Sequence, residues 1–227
     1  MKLMQSGIQN NKRIQKWDSI YKEQNKRWNG LPSKLAETTL KFIYHNEEID
    51  GIVDVGGGYG RDSIYFLNYE YKVTNIESSE TALTLFKNDY PKEFSEENIS
   101  LFKGDALELT SFDSVRDGKN LIFCNYFLHL LSIEELNSFL QIFVLNFKSK
   151  TQISFNLISK KDFRYNGNQI EEVEQDIHWS FWNKDDILNL FSPLPLNVLF
   201  WEEEVEIEYI NKQFDKVYSH FIIAEIQ

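Results

Sequence analysis

Cysteine, proline and glycine are scarce: of 227 residues one is Cys (Cys124), four are Pro and ten are Gly. A lone cysteine excludes an intramolecular disulfide and a Cys-rich zinc site, and fits a reducing compartment. The four His are scattered and form no H-x-x-x-H or mixed carboxylate cluster, so no metal site is expected. Cationic residues are in deficit, 24 Lys and Arg against 35 Asp and Glu; the net charge of −11 opposes binding to nucleic-acid phosphates. No run approaches the ~18 apolar residues of a membrane span. Residues 1–16, with Gln, Asn and Lys, have no apolar stretch of the kind that makes a secretory signal. These absences leave a cytoplasmic globular chain, long enough to bury roughly 70% of its unfolded surface without a staple.

What is present is an alternation. No Pro/Gly/Ser-rich linker and no repeat divides the chain, so residues 1–227 read as one domain. It comprises a polar lead-in (1–16), a helical segment (17–46), a β/α core (51–158) and a final segment (159–227). Trp17, Ile20 and Tyr21, then Leu35, Leu40, Phe42 and Ile43, have helical spacing on either side of the turn signal Asn29-Gly30-Leu31-Pro32. Strands are predicted at 51–55, 71–76, 99–103, 120–124 and 151–158. Helices are predicted at 61–68, at 79–87 behind Ser78-Ser79, at 132–147 behind Ser132, and at 183–191 behind Asn183. Two β-rich runs, 196–207 and 218–226, follow without a helix between them and are expected to pair antiparallel at one edge. The whole predicts an α/β protein: seven strands, mostly parallel, with helices on both faces.

Chemistry concentrates where strands end. Asp54-Val-Gly56-Gly57-Gly58-Tyr-Gly60-Arg61 joins the first strand to the first core helix. Glycine there permits a sharp turn and close approach of a ligand to main-chain N–H groups. The dinucleotide pattern G-x-G-x-x-G fits in neither register: from Gly56 the third glycine falls on Arg61, and from Gly57 the second falls on Tyr59. The spacing present, G-x-G-x-G after Asp54, suits a nucleoside ligand without a pyrophosphate. Glu77 ends the second strand, where a carboxylate can accept from both hydroxyls of a ribose. Gly104-Asp105-Ala106 closes the third strand, where a carboxylate can accept from an adenine amino group. Asn125-Tyr126-Phe127 follows the fourth.

This set resembles the class I S-adenosylmethionine-dependent methyltransferases. Trp17-Asp-x-x-Tyr21, Gly60-Arg-Asp62, Phe127-Leu-His129 and the late 182–191 helix are similar to their TehB-like (tellurite-resistance) small-molecule branch. Asp62 stands where that branch often has Asn, and His129 is followed by Leu130 rather than a second His. The resemblance implies a Rossmann-like sheet, S-adenosylmethionine as cofactor and S-adenosylhomocysteine as product. It places Asp54, Gly56, Gly57, Gly58 and Gly60 at the methionine moiety, Glu77 and Ser78 at the ribose, and Asp105 and Ala106 at the adenine. Asn125 and Tyr126 fall at the sulfonium pocket, with Trp17 and Tyr21 on a lid helix. A nicotinamide-dependent oxidoreductase and a non-catalytic methyltransferase-like binding domain are the alternatives.

His129, just past the fourth strand, is the candidate base or substrate-orienting group. Arg27, Trp28, Arg164, Tyr165 and His178 are candidates for the substrate mouth, where an Arg can grip an anion bidentately. The acceptor is expected to be a small molecule. Glu204, Glu206 and Glu208 alternate along a strand and are expected on a solvated face.

Overall fold

The computed structural model of the protein describes residues 2–24, 30–96, 98–107, 120–166, 178–210 and 213–227. Strand β1 (Gly51–Val55) is buried along its whole length, as its apolar run requires. It lies parallel between β2 (Lys72–Glu77) and β4 (Asn120–Cys124). Outside these, β3 (Ile99–Lys103) runs parallel to β2 and β5 (Gln152–Ile158) parallel to β4. β7 (Gln213–Ile226) sits between β5 and β6 (Leu196–Ile210), antiparallel to both, which gives the order β3-β2-β1-β4-β5-β7-β6.

Side-chain alternation along the central strands divides the interior into two cores. Val53, Val55, Ile122 and Cys124 face one side, where α5 (Ile133–Asn146) contributes Leu136, Phe139 and Phe143 and α6 (Lys184–Phe191) contributes Ile187. Ile52, Leu121 and Phe123 face the other, against Leu35 of α2 (Lys34–Ile43), Phe66 of α3 (Arg61–Leu67) and Phe86 of α4 (Glu80–Asp89). The helix starts follow local chemistry. Ser33 and Ser79 cap α2 and α4, and Ser132 and Asn183 each close a capping box with the acid three residues on, a cap being worth about 1 kcal/mol.

The lead-in and the final strands depart from the sequence reading. The lead-in is helical: α1 runs from Lys2 to Gln24, through a segment rich in Lys and Gln that favours helix without an apolar stripe to announce it. The final strands are also longer than predicted. β5 pairs with β7 only as far as Ser219, so Val205–Ile210 and Gln213–Tyr218 form a hairpin that projects past the sheet.

That projection overturns the expected solvated glutamate face. Glu206 and Glu208 are 4% and 5% exposed, whereas Val205 and Ile207, which alternate with them, are 40% and 64% exposed. The inward face is polar because polar groups await it. Arg61 Nη1 donates to both Glu208 oxygens at 3.0 and 3.1 Å, the Lys34 backbone N–H donates to Glu206 at 2.5 Å, and Lys34 Nζ bonds Glu204.

Candidate functional site

A cleft of about 850 Å³, counting its open mouth, lies at the carboxyl ends of β1, β2 and β4, where open α/β sheets bind ligands. Its floor is the turn after β1. Gly56 N–H donates to Ile76 O at 2.8 Å, and Gly60 N–H to Gly57 O at 3.0 Å. Gly58 and Gly60 have φ of 55° and 84°, the left-handed region. A Cβ on Gly58 would stand 2.8 Å from the Tyr21 hydroxyl, and one on Gly60 2.2 Å from the Phe86 ring. These glycines are therefore required by the protein's own packing, while the turn's main chain at 56–58 faces the cleft.

Under the turn, Asp54 Oδ2 accepts from Ser63 Oγ at 2.6 Å, and Asn75 Nδ2 donates to the same hydroxyl at 3.0 Å. Burial, with Asp62 nearby, pushes the Asp54 pKa up to about 7. Glu77 is 6% exposed. Its Oε2 accepts from Gly58 N–H at 3.0 Å and its Oε1 from Ser79 N–H at 2.7 Å and Ser78 Oγ at 3.2 Å. Burial raises its pKa against these bonds. A carboxylate has about four acceptor positions, so capacity remains for a ligand hydroxyl, and for a second if Ser78 rotates away.

The third wall is the end of β4. Asn125 Nδ2 donates to Asp62 Oδ2 at 3.0 Å, and its Oδ1 is a buried atom without a hydrogen-bond partner in the structure. Tyr126 has φ of 50°. Its N–H donates to Asn156 Oδ1 at 2.7 Å and its hydroxyl to Glu206 Oε2 at 2.6 Å. Helix α1 covers the cleft with Arg13, Trp17 and Tyr21, spaced i, i+4, i+8 on one face. Asp18 fixes it to the start of α4, accepting from Ser79 Oγ at 2.8 Å and Thr81 N–H at 3.0 Å.

Of the predicted cofactor residues, Trp17, Tyr21, Asp54, Gly56, Gly57, Gly58, Glu77, Ser78, Asn125 and Tyr126 come together around this cleft. Gly60 lies behind the turn. Asp105 and Ala106, 9% and 6% exposed, follow Gly104, which does line it; Asp105 accepts from Leu107 N–H at 2.9 Å and lies 3.7 Å from Arg13.

The substrate candidates sit elsewhere. His129 is 3% exposed and stands behind Tyr126, ring centroids 6.1 Å apart, and against Trp179 at 4.9 Å. Burial and the Arg164 charge push its pKa down to about 3, so it is neutral. Arg164 is buried and bonded to both Asp162 oxygens at 2.7 and 2.8 Å. Tyr165 and His178 are exposed outside the cleft, and Arg27 and Trp28 lie outside the described residues. Among the described residues no His, Cys, Asp and Glu group is arranged to hold a metal ion, and no helix is long and apolar enough to cross a membrane.

Sequence reasoning missed Arg13, Arg61, Asp62 and Glu206. For Arg13 the signal was present, four residues before Trp17 on the same helical face. Arg61, at the third-glycine position of a dinucleotide loop, is held by Glu208.

Comparison with known proteins places this geometry. Residues 52–146 match the family model of a methyltransferase domain. A search of curated proteins finds no match. Among solved structures, the chain is similar to an S-adenosylmethionine-dependent methyltransferase from Anabaena variabilis (13% identity, TM-score 0.71, covering 96% of this chain and 94% of that one). It is also similar to the 1,6-didemethyltoxoflavin-N1-methyltransferase of Burkholderia thailandensis (13% identity, TM-score 0.68, 96% and 90%) and to TehB from Haemophilus influenzae (15% identity, TM-score 0.62, 93% and 67%). Identities this low carry the fold alone, and the domain match, over less than half of the chain, points to methyl transfer. Residues 52–146 match a methyltransferase domain, and the chain as a whole has the fold of the class I S-adenosylmethionine-dependent methyltransferases.

Proposed function

We propose that the chain binds S-adenosylmethionine in this cleft and directs its methyl group to a small-molecule nucleophile. One observation carries the reading: the turn at 56–58, Glu77 with acceptor capacity in reserve, and the aromatic residues Trp17, Tyr21, Tyr126 and Phe127 all line the same cleft. When bound, the cofactor supplies a methyl group on a sulfonium that leaves as a neutral thioether. Glu77 would hold the ribose hydroxyls, Asp54 the side of the methionine ammonium, and Asp105 with Ala106 the adenine end.

The chain's own contribution is alignment of the acceptor and exclusion of water, which supplies roughly 7–11 kcal/mol in well-oriented reactions. Aromatic faces hold a cation by ~0.5–2 kcal/mol each. At the acceptor end Tyr126 forms the wall and buried His129 orients it, while Tyr165 and His178 stand on the outer approach. The acidic chain disfavours a nucleic-acid acceptor. The Burkholderia relative, solved with bound 1,6-didemethyltoxoflavin, supports a small molecule.

Isothermal titration with S-adenosylmethionine and S-adenosylhomocysteine tests the reading. Both are expected to bind, and Glu77→Ala to weaken both at least about tenfold, the loss expected for hydrogen bonds to a charged acceptor. Binding of neither ligand would overturn it. Labelled methyl transfer to a panel of small metabolites then identifies the acceptor.

A further inference from the structure

Glu206 poses a problem that the fold does not answer. Its carboxylate is buried, yet the two groups bonded to it are neutral donors, the Lys34 backbone N–H and the Tyr126 hydroxyl. The neighbouring cations are engaged with other acids: Arg61 with Glu208 and, at 3.5 Å, Asp62; Lys34 Nζ with Glu204. The Arg61 charge also reaches Glu206, but this one guanidinium is shared among Asp62, Glu206 and Glu208, so acidic groups outnumber it here, and a buried carboxylate short of positive charge is costly.

The route from Glu206 to the cleft is Tyr126. That residue is locked in an uncommon left-handed conformation by Asn156 at its N–H, by His129 at its ring and by Glu206 at its hydroxyl. Tyr126 lines the cleft beside Asn125 and Phe127, with its hydroxyl at Glu206. Donation of the phenolic proton to a carboxylate at 2.6 Å makes the phenol oxygen richer in electrons, so the negative charge of Glu206 is felt at the cleft wall.

We propose that Glu206, acting through the Tyr126 hydroxyl, makes the cleft prefer the positively charged sulfonium donor to its uncharged thioether product. The inference rests on the reading under Proposed function and adds a specificity determinant from the projecting hairpin. It also bears on turnover, because the attraction is lost once the sulfur has given up its methyl group and, with it, its positive charge.

Titration calorimetry on the full chain decides it, with S-adenosylmethionine and S-adenosylhomocysteine as probes. Glu206→Gln is expected to weaken the donor about tenfold and leave the product within about twofold, the effect of one charge at moderate effective dielectric. Tyr126→Phe breaks the link without touching the charge and is expected to shift the ratio the same way by less. Glu204→Gln makes the same change in net charge on the same strand and is expected to keep the wild-type ratio. Equal loss for both ligands, an unchanged ratio, or a Glu204→Gln effect matching that of Glu206→Gln would overturn the proposal and leave the methyltransferase reading intact. If wild type binds neither ligand, that reading is what fails. Should Glu206→Gln not fold, the donor-to-product ratio in Tyr126→Phe decides by the same criteria.

Discussion

Asp54 lies under the glycine turn with 2% of its surface exposed, and burial together with Asp62 lifts its pKa from 3.8 to about 7. The folded state therefore holds this proton more tightly than the unfolded chain does. The resulting stability is complete below pH ~4 and is lost as pH rises through about 7. At about 1.4 kcal/mol per pH unit, the span is on the order of 4 kcal/mol. Glu208, raised to about 7 by burial against the pull of Arg61, acts in the same direction. Asp54→Asn is expected to flatten the fall in melting temperature between pH 5 and 8, which thermal unfolding across that range measures. Gly60→Ala forces a Cβ to 2.2 Å from the Phe86 ring at a φ of 84° and is expected to cost roughly 2–4 kcal/mol in urea unfolding. Asp54 and Glu77 were legible in the sequence because a strand end followed by a turn fixes where its last side chains go. Glu206 and Glu208 were not. Alternation tells which residues share a face but not which way that face turns, and here Arg61, far away in sequence, decides it.

At the scale of elements, the cover of the cleft is tied down at Arg13, bonded to Glu135, and at Asp18. Asp18 is held well below the usual carboxylate range: burial opposes this, but Lys22 and the donors of Thr81 and Ser79 prevail. Its seat at the start of α4 also suits the helix dipole. Asp18→Ala is expected to cost about 1–2 kcal/mol. It should expose α1 to limited proteolysis and weaken donor and product by the same factor, unlike Glu206→Gln. The capping boxes at Ser132 and Asn183 could be read from sequence because a cap is a contact over three residues. The start of α1 could not: it has no acidic residue in its first turn.

For the whole molecule, a ligand that binds only the folded state stabilises it by mass action, about 2.7 kcal/mol at a hundred times Kd. At roughly 2–4 °C per kcal/mol for a chain of this size, saturating S-adenosylmethionine is expected to raise the melting temperature by roughly 5–10 °C. Strand–helix alternation made the parallel half of the sheet legible, and the missing crossover helix foretold its antiparallel end. The position of β7 inside β6 was not legible, because local pattern does not say which of two adjacent strands pairs with β5. That position bears on synthesis. β6 leaves the ribosome before the strand that will join it to the rest, so until residues 213–226 emerge the nascent chain carries two bare hydrogen-bonding edges that cannot meet. Translation halted before residue 213 would take away the seam between β5 and β6 rather than a margin, and such a product is expected to depend on chaperones or aggregate.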